Sequence, residues 1–196
     1  MKIVIIKYNA GNIRSVDYGL RRLGITPVIT DDPDEIRSAD KVVFPGQGEA
    51  STTMAYLHEH GLDALIRSLK QPVLGICIGM QLLCSHSEEG DADCLNMYGA
   101  DVRRFVPQRH EDKVPHMGWN SLRDMRGALF EGLPAQPFVY FVHSYYVPVT
   151  ADTAAVCDYI HPFSAAMQKD NFFATQFHPE KSGAVGEMIL RNFIKV

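Results

Sequence analysis

The chain has 196 residues, 46% of them hydrophobic and 21% charged, with a formal net charge of −4 at pH 7, the profile of a single globular domain over residues 1–196 that buries a core without staples. A mildly acidic chain with no clustered basic face excludes a nucleic-acid surface, and its N-terminal apolar run, Ile3 to Ile6, stops at Lys7, too short for a secretion signal or a membrane span; a cytoplasmic enzyme or binding domain is expected. The four cysteines, Cys77, Cys84, Cys94 and Cys157, form no C-x-x-C pair and no metal-ligand spacing, so reduced thiols without a metal or cofactor are expected, one of them free for chemistry.

In chain order, residues 2–6 read as a buried strand and Tyr8, Asn9, Ala10, Gly11 and Asn12 as a loop of turn formers. Ile13, Val16, Leu20 and Leu23 then recur at helical spacing, with Gly24 as the stop and Asn12 or Ser15 as candidate caps. Residues 27–30 predict a short strand, 31–38 one or two helical turns, and 41–44 a third strand ending at Pro45-Gly46-Gln47-Gly48. Leu62, Leu65, Ile66 and Leu69 mark an amphipathic helix. It feeds residues 73–77, an apolar run without polar alternation, which is how a strand buried on both faces reads.

The polar, acidic stretch 85–93 is expected as a surface loop. Beyond it the pattern changes to short strands at 97–105, 137–142, 153–159, 164–169 and 172–177, with a charged turn at 108–113 and a closing helix at 183–194 that places Val185, Met188, Ile189 and Phe193 on one face. The expected fold class is α/β: a mostly parallel central sheet flanked by helices, with added antiparallel strands in the C-terminal half.

Two stretches carry chemistry. In Gly75-Ile76-Cys77-Ile78-Gly79 a thiol sits between two glycines where a strand gives way to a helix, the cysteine form of a nucleophile elbow. The turn forces the cysteine into a strained conformation, and the glycines leave room for the bend and the close-packed helix. At the positive end of that helix the reactive thiolate is favoured, and the N–H of Ile78 points at the same spot, ready for a developing oxyanion. The second stretch is Gln176-Phe177-His178-Pro179-Glu180. In an extended chain His178 and Glu180 share a face, so that the carboxylate can orient the imidazole and the imidazole can serve a thiol as base. Each stretch alone also fits an ordinary core or strand end; their joint occurrence is what favours catalysis.

Together, G-I-C-I-G-M-Q at 75–81 and Q-F-H-P-E at 176–180 resemble the triad (class I) glutamine amidotransferases, flavodoxin-like domains that hydrolyse glutamine with Cys, His and Glu. A finer resemblance, to the glutaminase subunits of imidazole glycerol phosphate synthase, rests on G-N-I at 11–13, F-P-G-Q-G at 44–48, P-H-M-G-W-N at 115–120, Y-F-V-H-S-Y at 140–145 and F-H-P-E-K-S at 177–182. Those stations follow the family's order over nearly the whole chain. Where that family usually carries an aliphatic residue, often Val, this chain has Gln47.

The resemblance implies Cys77 as nucleophile, His178 as acid and base, and Glu180 as its orienter. It implies an oxyanion site from the N–H of Ile78 with that of Gln47 or Gly48, and Gln81, Ser144 and Tyr145 as the grip on the amino-acid end of glutamine. It implies a separate (βα)8-barrel cyclase subunit as partner in a heterodimer, receiving ammonia through its interior for histidine biosynthesis, with Asn12, Met117, Trp119, Tyr140 and Lys181 as candidates for the docking face. Read without it, Gln81 is a helix-surface amide, and Tyr145 and Trp119 are core residues. Two other readings stay open at this point: a triad glutaminase serving pyridoxal phosphate, anthranilate or guanylate synthesis, and a flavodoxin-like binding domain with a spare thiol.

Overall fold

In a computed structural model that describes residues 1–9 and 11–196, the first half of the chain alternates strand and helix. In order these are β1 (Ile3–Ile6), α1 (Ile13–Arg22), β2 (Val28–Thr30), α2 (Pro33–Arg37), β3 (Lys41–Phe44), α3 (Ala50–Glu59), α4 (Leu62–Ser68), β4 (Val73–Ile76) and α5 (Ile78–Leu82). Ala10, part of the expected first loop, lies outside the described residues. Local chemistry sets several of these boundaries. Asp32 caps α2 by accepting from the N–H groups of Asp34 and Glu35, with Pro33 at the first helical position. Glu49 caps α3 in the same way through Ser51 and Thr52. The sequence reading missed α3, because its buried residues Ala50, Thr53 and Leu57 include a polar one and draw no clean apolar stripe.

The second half is richer in strands: β5 (His86–Ser87), β6 (Ala92–Asp93), β7 (Asp101–Arg104), β8 (His116–Ser121), β9 (Phe138–His143), β10 (Tyr145–Tyr146), β11 (Thr153–Asp158), β12 (Pro162–Lys169) and β13 (Phe172–Thr175), closed by α6 (Gly183–Lys195). The stretch expected as a plain surface loop thus carries two short strands that pair with each other, and the strand expected over 97–105 is confined to β7. On α6 the buried side is Gly186, Ile189, Leu190 and Phe193, while Met188 turns to solvent. The apolar face is rotated from the expected one because Leu190 packs inward.

The main sheet has seven strands in the order β11-β12-β13-β4-β3-β1-β2. From β13 to β2 all neighbours run parallel, whereas β11, β12 and β13 pair antiparallel. Strands β1, β3, β4 and β13 are buried at every residue, and the edge strand β2 is not, as expected where helices cover both faces. Smaller sheets, β10-β7-β5-β6 and the β8-β9 ribbon, stand apart from it. The observed α/β architecture is the expected one, and the carboxyl ends of β4 and its parallel neighbours are where open sheets of this kind place their ligands. Among the described residues no helix is long and apolar enough to cross a membrane.

Candidate active site

Cys77 follows the last residue of β4 and precedes the first of α5, with φ 55° and ψ −108°. A non-glycine residue held there stores roughly 1–3 kcal/mol of backbone strain. The flanking glycines make it possible. A Cβ at Gly79 would overlap the Phe44 carbonyl oxygen at the end of β3, and one at Gly75 would come within 2.9 Å of the Gly79 carbonyl oxygen. Helix α5 therefore sits directly on the sheet, and the N–H of Ile78 opens it without an intrahelical acceptor.

The cysteine borders a cavity of about 300 Å³ lined by Gln47, Gly48, Ile78, Gln81, Glu89, Pro115, Val142, His143, Ser144 and Tyr145. All three expected oxyanion residues and all three expected substrate residues are therefore gathered around one hollow. Gln81 is buried, contrary to its reading as a surface amide, and Tyr145 is half-buried. Glu89, which falls in the stretch expected as a surface loop, also lines the cavity. It is half-buried, accepts from the Ala50 N–H at 3.0 Å, and burial first of all pushes its carboxyl up. The thiols of Cys84, Cys94 and Cys157 are buried elsewhere and pushed up by burial.

His178 and Glu180 are not among the residues that line this cavity. His178 Nδ1 is 2.8 Å from Glu180 Oε1, and both side chains are fully buried. The route to this pairing differs from the expected one: the chain leaves its extended course after His178, and Glu180 sits in a 3-10 turn, Pro179–Lys181. Neighbouring elements clamp that turn from both sides. From α1, Gly19 lets the helix pack against Glu180 with only 3.0 Å to spare for a Cβ, and Arg22 Nη2 donates to the Glu180 carbonyl at 3.1 Å. From β9, the Tyr140 carbonyl accepts from the His178 N–H at 2.9 Å, and the Tyr140 N–H donates to Ser182 Oγ.

Asn12 completes the clamp. It occupies the N-cap position of α1 in a left-handed conformation, φ 73°, but makes no capping hydrogen bond. Its Nδ2 donates instead to Glu180 Oε1 at 2.6 Å and lies 3.3 Å from His178 Nδ1. Neither Asn12 nor Ser15 caps the helix as the sequence suggested. A polar atom inside the protein has the stronger claim on that amide.

Among the described residues His178 Nε2 has no hydrogen-bond partner. Burial pushes the imidazole down, but the neighbouring Cys77 and Glu180 outweigh it and raise it to about 9. A second buried imidazole pair behaves in the opposite way. His116 Nδ1 and His143 Nε2 are 2.9 Å apart, and His143 Nδ1 lies 2.7 Å from the Tyr145 carbonyl oxygen. With no carboxylate beside them, burial lowers His116 to about 4 and His143 to about 3.

The loop at 45–48 is pinned at two points. Tyr8 OH donates to the Pro45 carbonyl, and the Gly11 N–H donates to the Gln47 carbonyl at 3.0 Å. Gln47 also lines a second hollow, with Gly11, Asn12, Ile13, Arg14, Ser15 and Lys181, so one residue walls both. Trp119 is 56% exposed and Met117 65%, which removes the core reading of that tryptophan. The Trp119 ring meets Tyr140 edge to face across the β8-β9 ribbon, at 6.1 Å.

The family described as glutamine amidotransferase class-I matches residues 4–196. A solved glutamine amidotransferase superposes on all of this chain and 98% of its own with a TM-score of 0.74 at 17% identity, a likeness of fold. The chain belongs to the class-I glutamine amidotransferases. The imidazole glycerol phosphate synthase subunit HisH of Bacteroides thetaiotaomicron is 66% identical over 99% of both chains. That of Yersinia pestis is 45% identical over the full length of each. At these identities the chain falls, within its class, in the family of those HisH subunits, glutamine-hydrolysing enzyme subunits of histidine biosynthesis.

Proposed function

We propose that Cys77, His178 and Glu180 carry out the glutamine hydrolysis. The observation that carries this reading is the buried His178–Glu180 contact of 2.8 Å, with the other imidazole nitrogen free of any hydrogen-bond partner among the described residues, and a cysteine on a strained elbow. His178, raised to about 9 by its neighbours, takes the thiol proton and holds it as the imidazolium. Sulfur attacks the side-chain amide carbon of glutamine, and the carbonyl π pair moves onto oxygen. The imidazolium then gives its proton to nitrogen as the C–N bond breaks and ammonia leaves. Water, deprotonated by the now neutral His178, opens the glutamyl thioester to glutamate and the thiol. Glu180 holds the ring in the tautomer and orientation both steps need.

The tetrahedral oxyanion is met by the Ile78 N–H and by that of Gln47 or Gly48. The second donor comes from a loop tied back through the Gln47 carbonyl to Gly11, so loop movement and full activity are linked. One such donor is worth about 3 kcal/mol of barrier, a hundredfold or more in rate. Gln81, Ser144 and Tyr145 seat the amino-acid end of glutamine, and Glu89 is the carboxylate on that wall suited to its ammonium.

The reading extends to the partner. The relatives are named as subunits of a synthase, and the exposed ladder of Met117 and Trp119 with Tyr140 on the ribbon supports a docking face there. The partner is a (βα)8-barrel cyclase subunit in a cytoplasmic heterodimer, and residues 1–196 act as one glutaminase domain. Lys181 belongs to the same candidate docking set and borders the second hollow with Gln47. Asn12 borders that hollow too, but its amide is committed to Glu180.

A glutamine-analogue chloroketone tests the nucleophile directly. The reading expects one covalent adduct per chain, at Cys77 by peptide mass, prevented by excess glutamine and accompanied by loss of glutamate release. Full labelling with activity intact contradicts it.

A further inference from the structure

The side chain of Gln176 is fully buried and immediately follows β13, whose Thr175 pairs with Ile76 of β4. That register sets Gln176 beside Cys77, and the Cys77 N–H donates to the Thr175 carbonyl at 2.8 Å. Gln176 Nε2 lies 3.7 Å from Cys77 Sγ, and Gln176 Oε1 lies 2.9 Å from Gln81 Nε2. Gln81 Nε2 is also 3.1 Å from the Tyr145 carbonyl oxygen.

The polarity of this chain is forced. A backbone carbonyl can only accept, so the Gln81 atom facing Tyr145 is the NH2 group. Its second hydrogen then needs an acceptor, which makes the nearer end of Gln176 the oxygen. What remains at the other end of Gln176, toward sulfur, is a donor. The same carbonyl fixes His143 with its proton on Nδ1, so Tyr145 is held by two donors and the anchor of the chain does not rotate.

We infer that Gln176 is a catalytic hydrogen-bond donor to the Cys77 sulfur, aimed by Gln81, so that a bridge of two amides ties the substrate seat to the nucleophile. The inference rests on the proposed role of Cys77. A neutral donor favours the thiolate without adding a second cation beside His178. It opposes the Val142 carbonyl oxygen, 3.9 Å from Sγ, which favours the protonated thiol. The other titratable groups around the sulfur are His178 with Glu180 behind it, the buried Tyr8 phenol, and Glu89 and His143 on the cavity wall. Because Gln81 spends both its hydrogens inside the protein, only its oxygen is left for the substrate. A ligand that pulls on Gln81 therefore also moves the donor at sulfur.

The test is the rate of iodoacetamide alkylation of Cys77 against pH, read by peptide mass in the full chain, alongside steady-state glutaminase kinetics with the synthase partner. In Gln176→Leu the midpoint of alkylation is expected to move up by about one pH unit, with about a tenfold slower reaction at pH 7 and a lower kcat. Gln176→Glu keeps an acceptor for Gln81 but turns an acceptor toward sulfur, so alkylation slows while KM changes less than in Gln81→Met. Circular dichroism checks folding; should Gln176→Leu fail to fold, Gln176→Glu and Gln81→Met carry the test, with slower alkylation expected in both. Alkylation within twofold of the unmodified chain across pH in the folded variants overturns the inference and leaves the role of Cys77 standing. Alkylation of the unmodified chain at Cys77 without loss of glutamate release overturns both.

Discussion

The molecule buries two imidazole sites, and their charges go opposite ways. His178 is fully buried yet raised to about 9, because the neighbouring Cys77 and Glu180 favour its cation more than burial opposes it. His116 and His143, on one face of the β8-β9 ribbon, hydrogen-bond to each other, a backbone carbonyl and the Asn120 amide among aromatic rings, and burial lowers them to about 4 and about 3. Burial alone does not decide protonation; the neighbour does. On the proposed reading one site moves a proton, while the other holds hydrogen bonds of fixed direction across the physiological range.

The largest expected effect removes the neighbour from the first site. Glu180→Gln leaves the shape of the turn but takes away the negative charge that fixes the ring. A fall in kcat of roughly a hundredfold to ten-thousandfold is expected by analogy with triads, measured as glutamate release in the partner-bound state. A change under threefold would mean that the carboxylate does not act on His178.

Next in size is the proposed docking face, on the side of the ribbon opposite the neutral pair. Trp119→Ala is expected to weaken assembly with the synthase about tenfold or more in titration calorimetry, with circular dichroism unchanged because the ring packs little of the core. Unchanged affinity would put the docking face elsewhere.

The pH dependence of stability sharpens the contrast itself. His178 is raised above the unfolded value near 6.5, so its contribution is fully present below pH 6.5 and is lost as pH rises through about 9. His116 and His143 are lowered, so theirs is present above pH 6.5 and is lost as pH falls through about 4 and about 3. In thermal denaturation the gap between the unmodified chain and His178→Asn should therefore narrow between pH 6.5 and 9, whereas the gap to His116→Phe should narrow on acidification. Gaps that move together would erase the distinction between the sites.

The smallest effect is expected at Asn12. Asn12→Ala removes one of the donors to Glu180 Oε1 while Arg22 and Gly19 still hold the turn. A loss of a fewfold in kcat with KM nearly unchanged is expected; an unchanged kcat would return Asn12 to a purely docking role.

These particulars show what a chain of letters conveys. The elbow was legible because its chemistry is local: a cysteine at positive φ needs glycines at 75 and 79, and both stand in the sequence. The parallel core was legible from runs such as Val73–Ile76 that lack polar alternation. The pairing of His178 with Glu180 was anticipated from an extended chain, whereas the 3-10 turn after Pro179 delivers it. Glu89 was hidden because an acidic loop reads as solvated until the cavity it borders is known. Asn12 was misread as a cap because local rules see the helix behind it and not the carboxylate across from it. Gln176 was visible within a motif, but its contact with sulfur depends on the register of β13 against β4, which no spacing in the chain records.

The most direct test of the account is glutamate release by Cys77→Ala in complex with the synthase partner, alongside synthase turnover supplied with ammonium in place of glutamine. The account predicts a loss of glutamine-dependent release of a thousandfold or more with ammonium-dependent turnover intact. Glutamine hydrolysis persisting within tenfold of the unmodified chain would contradict it.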